Sequence, residues 1–145
     1  MKVSTKGRYA LRMLLDLAAN KDSGFIPLKE IAERQHISKQ YLEQIVALLQ
    51  TADILRANRG KQGGYMLTKA PSEYSVGQIL RITEGGLAPI ACLEDTVNQC
   101  ARADSCDTLP MWQGFYQVIT GYLDKVTLED MLNTKTNTEN DVNDF

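Results

Sequence analysis

The sequence predicts a mainly α-helical fold with one small β-hairpin and a long dimerisation helix toward its C-terminal end. Apolar residues recur at helical spacing through most of the chain, and two short β-type segments flank a glycine-rich loop at residues 59–64. A strongly apolar helical pattern then begins at Leu109. At 145 residues, with 43% hydrophobic and 23% charged residues, the chain has the composition of a compact globular protein, which excludes a fibrous or wholly disordered one.

The first 50 residues predict three helices. Residues 1–20 have an apolar stripe at helical spacing, and Ser4 is suited to cap its start. A short amphipathic helix begins at Leu28, and His36, the only histidine, is predicted to end it. Ser38 stands where an N-cap belongs, so we expect a third helix over Ser38–Gln50.

A β-hairpin and two further helical regions follow. Ile54–Asn58 and Tyr65–Thr68 are predicted strands, because β-type residues there flank glycines. Ser75 begins a helix with a capping-box pattern that ends at Gly85-Gly86, while residues 87–108 lack periodicity. The long helix from Leu109 is followed by a short one over residues 127–132, with Thr127 as its cap.

These elements predict three regions. Residues 1–70 form the first domain, residues 71–132 contain the cysteine loop and the dimerisation helices, and residues 133–145 form a disordered acidic tail rich in Asn and Thr. The longest apolar run is Ile45–Leu49, which is too short to span a membrane. Because Arg12 and Asp16 interrupt the first apolar stretch, no signal peptide is predicted, and we expect a cytoplasmic protein.

The overall charge of −2 hides a strong polarity. Residues 1–69 have a net charge of +6, and residues 70–145 have a net charge of −8. A basic half of this kind attracts phosphate, although surface charges can also segregate without function.

Within the basic half, the order helix, helix, short turn, helix and basic hairpin is that of a winged helix-turn-helix DNA-binding domain. Glutamine can pair with adenine, lysine with guanine or phosphate, and glutamate with cytosine, while Leu42, Ile45 and Val46 are predicted to face inward. The glycine-rich loop lets its backbone approach a duplex, with basic side chains on phosphates or in the minor groove. The predicted DNA-binding residues are Ser38, Lys39, Gln40, Tyr41, Glu43 and Gln44 on the helix and Arg59, Gly60, Lys61 and Gly63 in the loop.

Taken singly, these features have simpler explanations. Lys39 and Gln40 fit an ordinary solvent-exposed helix face, and a glycine-rich turn with two basic residues is usually only a turn. The loop is not a P-loop, because it lacks the GxxxxGK[ST] spacing. The combination of order, spacing and charge is what favours DNA.

All three cysteines lie in one polar segment, as Cys92-x7-Cys100-x5-Cys106. These intervals are too wide for a CxxC redox pair or a zinc ribbon. Three thiolates on one loop can ligate a soft metal centre, and thiolate is the usual ligand of iron–sulfur clusters.

Three segments resemble a known family. Met1–Ala10, Tyr41–Gln44 and Arg59–Tyr65 are similar to the Rrf-type winged helix-turn-helix transcription regulators, the IscR, NsrR and CymR group, and most like its iron–sulfur-sensing members. The resemblance covers about residues 1–132. It implies a bacterial, dimeric, DNA-binding regulator whose recognition helix is Ser38–Gln50 and whose wing is Arg59–Gly64.

The resemblance also implies that an iron–sulfur cluster is bound through Cys92, Cys100 and Cys106. The sequence departs from the family pattern, because the first interval is x7 instead of x5 and Leu109 stands where IscR-like members have a histidine ligand. Arg8 matches the position of a carboxylate ligand in the nitric-oxide-sensing branch. A zinc site, a thiol-only redox site and a purely structural role remain alternatives. The fourth ligand stays open among Glu94, Asp95, Asp104, Asp107, a residue of the partner subunit and an external thiol.

The long helix has a wide apolar face that must pack on something. Its own DNA-binding domain covers part of this face, and we expect a second copy of the chain to cover the rest, which predicts a pseudo-palindromic operator. The residues at helical spacing are Trp112, Phe115, Tyr116, Ile119, Tyr122, Leu123 and Val126.

The order of elements along the chain predicts how the metal site affects DNA binding. The cysteine loop directly precedes the dimerisation helix, so filling the metal site is expected to reposition that helix. The predicted function is a homodimeric DNA-binding transcription regulator that senses iron–sulfur cluster, iron or redox status. The alternative is the same fold regulating sulfur or cysteine metabolism through a protein partner or thiol oxidation, without a cluster. No nucleophile–base pair, second histidine or cofactor motif is present, so an enzyme is not predicted.

Overall fold

The computed structural model describes residues 2–134, which form six α-helices and one two-stranded antiparallel hairpin, so the predicted mainly α-helical class is confirmed. No helix among the described residues has the length and apolarity needed to cross a membrane. The elements in chain order are α1 (Thr5–Ala19), α2 (Leu28–Gln35), α3 (Lys39–Thr51), β1 (Leu55–Asn58), β2 (Gly64–Leu67), α4 (Val76–Glu84), α5 (Leu109–Lys125) and α6 (residues 128–134).

Serine caps start three of the helices, as the sequence predicts. The hydroxyl groups of Ser4, Ser38 and Ser75 each accept a hydrogen bond from the backbone N–H three residues further on, at 3.1–3.2 Å. Each bond satisfies one of the N–H groups that a helix start leaves without a partner. His36 ends α2 in the left-handed conformation, with φ of 54°, which also agrees with the prediction.

The last helix extends further than predicted. Thr127 and Asp130 form a reciprocal capping box, in which each backbone N–H donates to the other side chain at 3.0 Å. The helix continues through residue 134, so the first two residues of the predicted disordered tail are helical. The Thr134 hydroxyl donates to the Asp130 carbonyl, as in a regular last turn. The remainder of the predicted tail, residues 135–145, lies outside the described residues.

Helix α1 forms the centre of the core. It packs against α2, α3, α4 and β2, and Ala10, Met13 and Leu14 on its inner face are fully buried. Ile79 from α4 and Leu128 from α6 belong to the same cluster of buried residues. The predicted DNA-binding segment and the segment that follows it therefore share one hydrophobic core.

The two strands differ by one residue from their predicted bounds: β1 begins one residue later and ends where predicted, and β2 lies one residue earlier. Leu55 pairs with Leu67 and Asn58 with Gly64, whereas the prediction placed the strands over Ile54–Asn58 and Tyr65–Thr68. The N–H of Ile54 closes the turn after α3 by donating to the Leu49 carbonyl at 2.9 Å, so the regular strand begins one residue later.

Glycine is required at position 64 by close backbone contact. A Cβ atom there would lie 2.3 Å from the carbonyl carbon of Ile26. Beside it, Ile26 and Tyr65 exchange two backbone hydrogen bonds of 2.9 Å, which tie β2 to the segment that leads into α2. The hairpin is therefore attached to the helical core and does not project as an isolated ribbon, which would be unstable alone.

Helix α4 is joined to its neighbours by two polar contacts. The Glu84 carboxylate accepts hydrogen bonds from the backbone N–H and the hydroxyl of Ser4, at 3.2 and 2.6 Å. Arg81 donates two hydrogen bonds to Asp124 of α5, at 2.6 and 2.9 Å. This pairing raises the pKa of Arg81 and lowers that of Asp124. Helix α4 thereby connects the start of α1 to the far end of α5.

Candidate DNA-binding surface and cysteine loop

The start of α3 presents a polar face to solvent. Five of its six predicted DNA-binding residues are exposed, and Tyr41 is half-buried. On the opposite face, Leu42, Ile45 and Val46 are no more than 3% exposed, which confirms that they point into the core. The exposed residues are Ser38, Lys39, Gln40, Glu43 and Gln44.

Tyr41 is held by aromatic packing against α1. Its ring meets the ring of Tyr9 edge-on, with the ring centres 5.6 Å apart. The guanidinium of Arg12 lies over the same Tyr9 ring, 5.1 Å from its centre. These contacts fix the first turn of α3 against the central helix.

The hairpin loop owes its shape to two glycines. Gly60 has φ of 104°, a backbone conformation that residues other than glycine rarely adopt. The N–H of Gly63 donates to the Gly60 carbonyl at 3.0 Å, and a Cβ at position 63 would lie 2.8 Å from two carbonyl oxygens. The resulting turn leaves Arg59 and Lys61 exposed at its tip.

Three basic residues of the predicted surface form no ion pair within the described part of the chain. Among residues 2–134, ion pairs are formed by Arg34 and Arg81 but not by Lys39, Arg59 or Lys61. These side chains therefore have no internal salt bridge to lose when they bind a phosphate of DNA.

Sequence analysis missed a group of polar residues beside α3. Asp16 is buried on α1 and binds Arg34 and Gln35 at the end of α2. The sequence contained one signal for it, because this acidic residue falls among the buried positions of the first apolar stripe. From the sequence alone, Asp16 is only an interruption of that stripe.

The cysteine loop, residues 87–108, contains two short turns of 3-10 helix at Ala91–Leu93 and Ala103–Ser105. All three cysteines are free thiols; Cys100 is exposed, and Cys92 and Cys106 are half-buried. No group of three or more His, Cys, Asp or Glu side chains within residues 2–134 is arranged to hold a metal ion. The structure therefore does not bring the three predicted ligands together.

Cys106 has hydrogen bonds that favour its thiolate form. Its sulfur lies 3.4 Å from the Thr108 hydroxyl, and this hydrogen bond, together with the backbone N–H groups of Thr108 and Leu109, lowers the pKa of the thiol. The charge of Asp107 opposes the shift. Stabilised thiolate is the form of cysteine that reacts with oxidants and binds metals.

One buried amide shows how the loop suits an iron–sulfur cluster. The Asn98 side-chain oxygen accepts the Cys100 N–H at 2.9 Å, whereas its buried Nδ2 has no hydrogen-bond partner in the described chain. Cluster sulfur accepts hydrogen bonds, and these help to set the properties of such clusters. The loop thus offers three thiols and one free donor, a donor set of the kind that such a cluster uses, although the sulfurs are not gathered.

The proposed fourth ligands lie in separate places. Glu94 and Asp95 line a cavity of about 530 Å³ that is also bordered by Lys2, Glu84 and Tyr116. Asp104 and Asp107 are exposed on the loop. Two positions at which the family resemblance implies ligands hold unsuitable side chains here: Leu109 is the first residue of α5, and Arg8 donates a hydrogen bond to Thr5. The fourth ligand stays unassigned.

Helix α5 has an apolar face that residues 2–134 leave uncovered. Met111, Phe115, Val118 and Tyr122 are 40–71% exposed and recur every three or four residues, which places them on one stripe. The other face packs on the α4 region through residues that include Tyr116, Leu123 and Val126. Gly114 and Gly121 lie beside the stripe, and a Cβ at either position would meet no atom within 4 Å.

Comparison with known proteins relates the whole arrangement to transcription regulators. Residues 3–134 match the Rrf2 family model, described as an iron-dependent transcriptional regulator. The chain is 34% identical over 135 residues to the HTH-type transcriptional regulator IscR of Klebsiella pneumoniae, a match that covers 93% of this chain and 82% of that protein.

Solved structures agree with this match. CymR, the global cysteine regulator of B. subtilis, superposes with a TM-score of 0.76 at 33% identity, over 92% of this chain and 98% of that one. IscR of T. potens superposes with a TM-score of 0.74 at 38% identity, over 93% of this chain and 88% of that one.

Replacing Lys39 or Arg59 by alanine is expected to weaken DNA binding. For a phosphate contact, the loss should be similar on every duplex, and the slope of log affinity against log salt should fall by about one unit. Affinity measured by fluorescence anisotropy at several salt concentrations between about 50 and 200 mM checks this. Lys21→Ala removes the same charge from the end of α1 and serves as the control. Unchanged slopes for both Lys39→Ala and Arg59→Ala would exclude these phosphate contacts.

Proposed function

Because the chain belongs to the Rrf2 family of transcriptional regulators, we propose that it acts as a cytoplasmic homodimer that binds double-stranded DNA and senses iron–sulfur cluster, iron or redox status through its three-cysteine loop. As a transcription regulator it is not an enzyme. The single observation that supports the DNA-binding surface best is the two-sided character of α3. Its apolar face is buried, whereas its polar first turns are exposed beside a basic hairpin.

The DNA-binding surface comprises the first turns of α3 and the tip of the hairpin. A helix fits the major groove, where the amide groups of Gln40 and Gln44 can pair with adenine and Glu43 can accept from cytosine. The small glycine-rich turn brings Arg59 and Lys61 to phosphates or a narrow minor groove. Residue types and exposure support this division of roles.

A homodimer follows from the uncovered stripe on α5. Four large apolar side chains there exceed what a lone surface helix normally exposes, and a second copy offers the same stripe in return. Glycine is unfavourable inside a helix by about 1 kcal/mol relative to alanine, yet nothing in the described part of the chain requires it at positions 114 and 121. Close approach of a partner helix gives both glycines a purpose. A two-fold dimer then favours a pseudo-palindromic operator with half-sites about one helical turn apart.

In the cysteine loop, Cys92, Cys100 and Cys106 would hold the cluster, and the Asn98 amide would donate a hydrogen bond to it. When bound, the cluster supplies a redox- and iron-responsive group ligated by thiolates. Cys106 lies directly before the first turn of α5, where the Leu109 N–H bonds to its carbonyl. A change in how the loop is held therefore acts on the dimerisation helix and, through it, on the spacing of the two DNA-binding surfaces.

A second candidate function is favoured by the chemistry of Cys106. Its thiol has a lowered pKa, and the loop does not gather the thiols into a metal site among the described residues. The similarity to a global cysteine regulator supports a thiol-based signal in sulfur metabolism, in which oxidation or a protein partner changes DNA binding. In this case no cluster is needed.

Val118→Glu is expected to convert the dimer to monomer. A carboxylate at the centre of the apolar stripe would be buried without a partner, which should raise the dimer dissociation constant more than about tenfold. Sedimentation equilibrium measures this directly. Gln117→Glu adds the same charge one residue away, outside the stripe, and should leave the dimer intact. A Val118→Glu protein that remains fully dimeric would contradict the proposed interface.

The sensing proposal predicts that anaerobically purified protein is coloured and contains iron and acid-labile sulfide. Replacing any of the three cysteines by serine should remove the iron, whereas Ser105→Ala in the same loop should retain it. The cluster-loaded and metal-free forms should differ in operator affinity or sequence preference. Equal binding by both forms would refute cluster control, and a metal-free protein whose operator affinity changes on peroxide treatment would favour the thiol alternative.

A further inference from the structure

A buried carboxylate joins α1 to the end of α2. The side chain of Asp16 is 3% exposed, and both of its oxygens are used. One oxygen accepts from Arg34 Nη2 at 2.7 Å, and the other accepts from Arg34 Nε at 3.0 Å and Gln35 Nε2 at 2.9 Å. These hydrogen bonds raise the pKa of Arg34. The last two residues of α2 are thereby attached to the central helix.

Gln35 extends the contact to a second arginine. Its side-chain oxygen accepts from Arg12 Nε at 3.3 Å, and its backbone carbonyl accepts from Arg12 Nη2. Both ends of the Gln35 amide are therefore bonded to α1, one through Asp16 and one through Arg12. The Arg12 guanidinium lies over Tyr9, which packs against Tyr41 in the first turn of α3.

The connected segment is the turn of the helix-turn-helix. Only His36, Ile37 and Ser38 separate α2 from α3, and His36 already has the left-handed conformation that ends α2. The direction of α3 therefore depends on where α2 ends. The hydrophobic core holds α3 in place, but apolar contacts are non-directional and permit small rotations that hydrogen bonds of fixed geometry prevent.

The ion pair is weak support for stability, because the Asp16 side chain is only 3% exposed and its desolvation offsets much of the attraction to Arg34, whose side chain stays 40% exposed. An apolar side chain at position 16 would avoid that penalty. Buried polar groups can instead favour one arrangement over near alternatives. An acidic residue within an apolar stripe, bonded to the two residues before the turn, suits this purpose.

We propose that Asp16 and Gln35 are positioning residues for DNA recognition. They hold the end of α2 against α1 and so set the angle at which the first residues of α3 meet the bases, without touching DNA themselves. This inference rests on the proposed DNA-binding surface. It assigns sequence discrimination partly to residues on α1 and α2, away from the duplex.

The test compares Asp16→Asn with the wild type, both as full-length dimers. An operator is first selected from random duplexes by the wild-type protein. Affinity is then measured for this operator and for a scrambled duplex across a salt series. We expect the operator-to-scrambled affinity ratio to fall at least about fivefold, the equivalent of one lost base contact. Affinity for scrambled DNA and its salt slope should not change, because the basic side chains of the surface are intact.

Glu30→Gln is the matched control. Glu30 is the other acidic partner of Arg34, at 3.5 Å, and its side chain is 55% exposed. The change removes one negative charge beside the same arginine without disturbing Asp16, so the affinity ratio should be retained. Gln35→Met is the second test variant. It preserves the side-chain length but removes both amide hydrogen bonds and introduces no charge, and we expect it to lower the ratio as Asp16→Asn does.

The outcomes separate this inference from the function on which it rests. Thermal unfolding of each variant defines the temperature at which all proteins are fully folded, and affinities are compared there. The positioning role is overturned if folded Gln35→Met keeps the wild-type ratio of operator to scrambled affinity and Asp16→Asn, where it folds, keeps it as well. If Lys39→Ala and Gln44→Ala also leave operator binding unchanged, the proposed surface itself is wrong. A lower ratio in the positioning variants, with the Glu30→Gln ratio unchanged, supports the proposal.

Discussion

The burial of one face of α1 is the constraint on which the rest of the structure depends. Ala10, Met13 and Leu14 are inaccessible to solvent, and four other elements pack around this helix. Burying large apolar side chains contributes roughly 1.5–3 kcal/mol each, whereas a helix of this length is only marginally stable alone. Each element is therefore positioned relative to α1, including the two that form the candidate DNA-binding surface.

Polar contacts between the helices add to the apolar packing in setting their relative positions. At one end of α1, Glu84 holds the Ser4 cap, and the same helix α4 reaches α5 through Arg81 and Asp124. In the middle, Asp16 holds the end of α2. The cysteine loop follows α4 after Gly85 and Gly86 and ends where α5 starts, so both of its ends lie next to helices that belong to this framework. The cysteine loop, α5 and the candidate DNA-binding surface are thus connected through a short path of packed helices.

Local signals in the sequence were sufficient for most of the fold. Ser4, Ser38 and Ser75 could be predicted as caps because capping depends on residues three positions apart, and the inward side of α3 followed from its periodicity. The later start of β1 arises because Ile54 still belongs to the turn after α3, and β-type residue preference does not show where such a turn ends.

Contacts between distant residues could not be predicted in this way. Asp16 and Gln35 are 19 positions apart, and Ser4 and Glu84 are 80 apart, so their pairing appears only when the helices are packed. The same applies to the cysteine loop. Spacing indicates that three thiols share a loop, but their relative placement depends on turns that no periodic pattern describes.

Amide hydrogen exchange of the protein with and without its selected operator tests the central claim most directly, because it reports which backbone segments DNA covers or steadies. DNA bound as proposed should slow exchange at residues 38–44 and 59–63, with smaller effects along the outer stripe of α5. Slowed exchange confined to α5 and the cysteine loop, with residues 38–44 and 59–63 unaffected, would contradict the proposed surface and the role of α1 in presenting it.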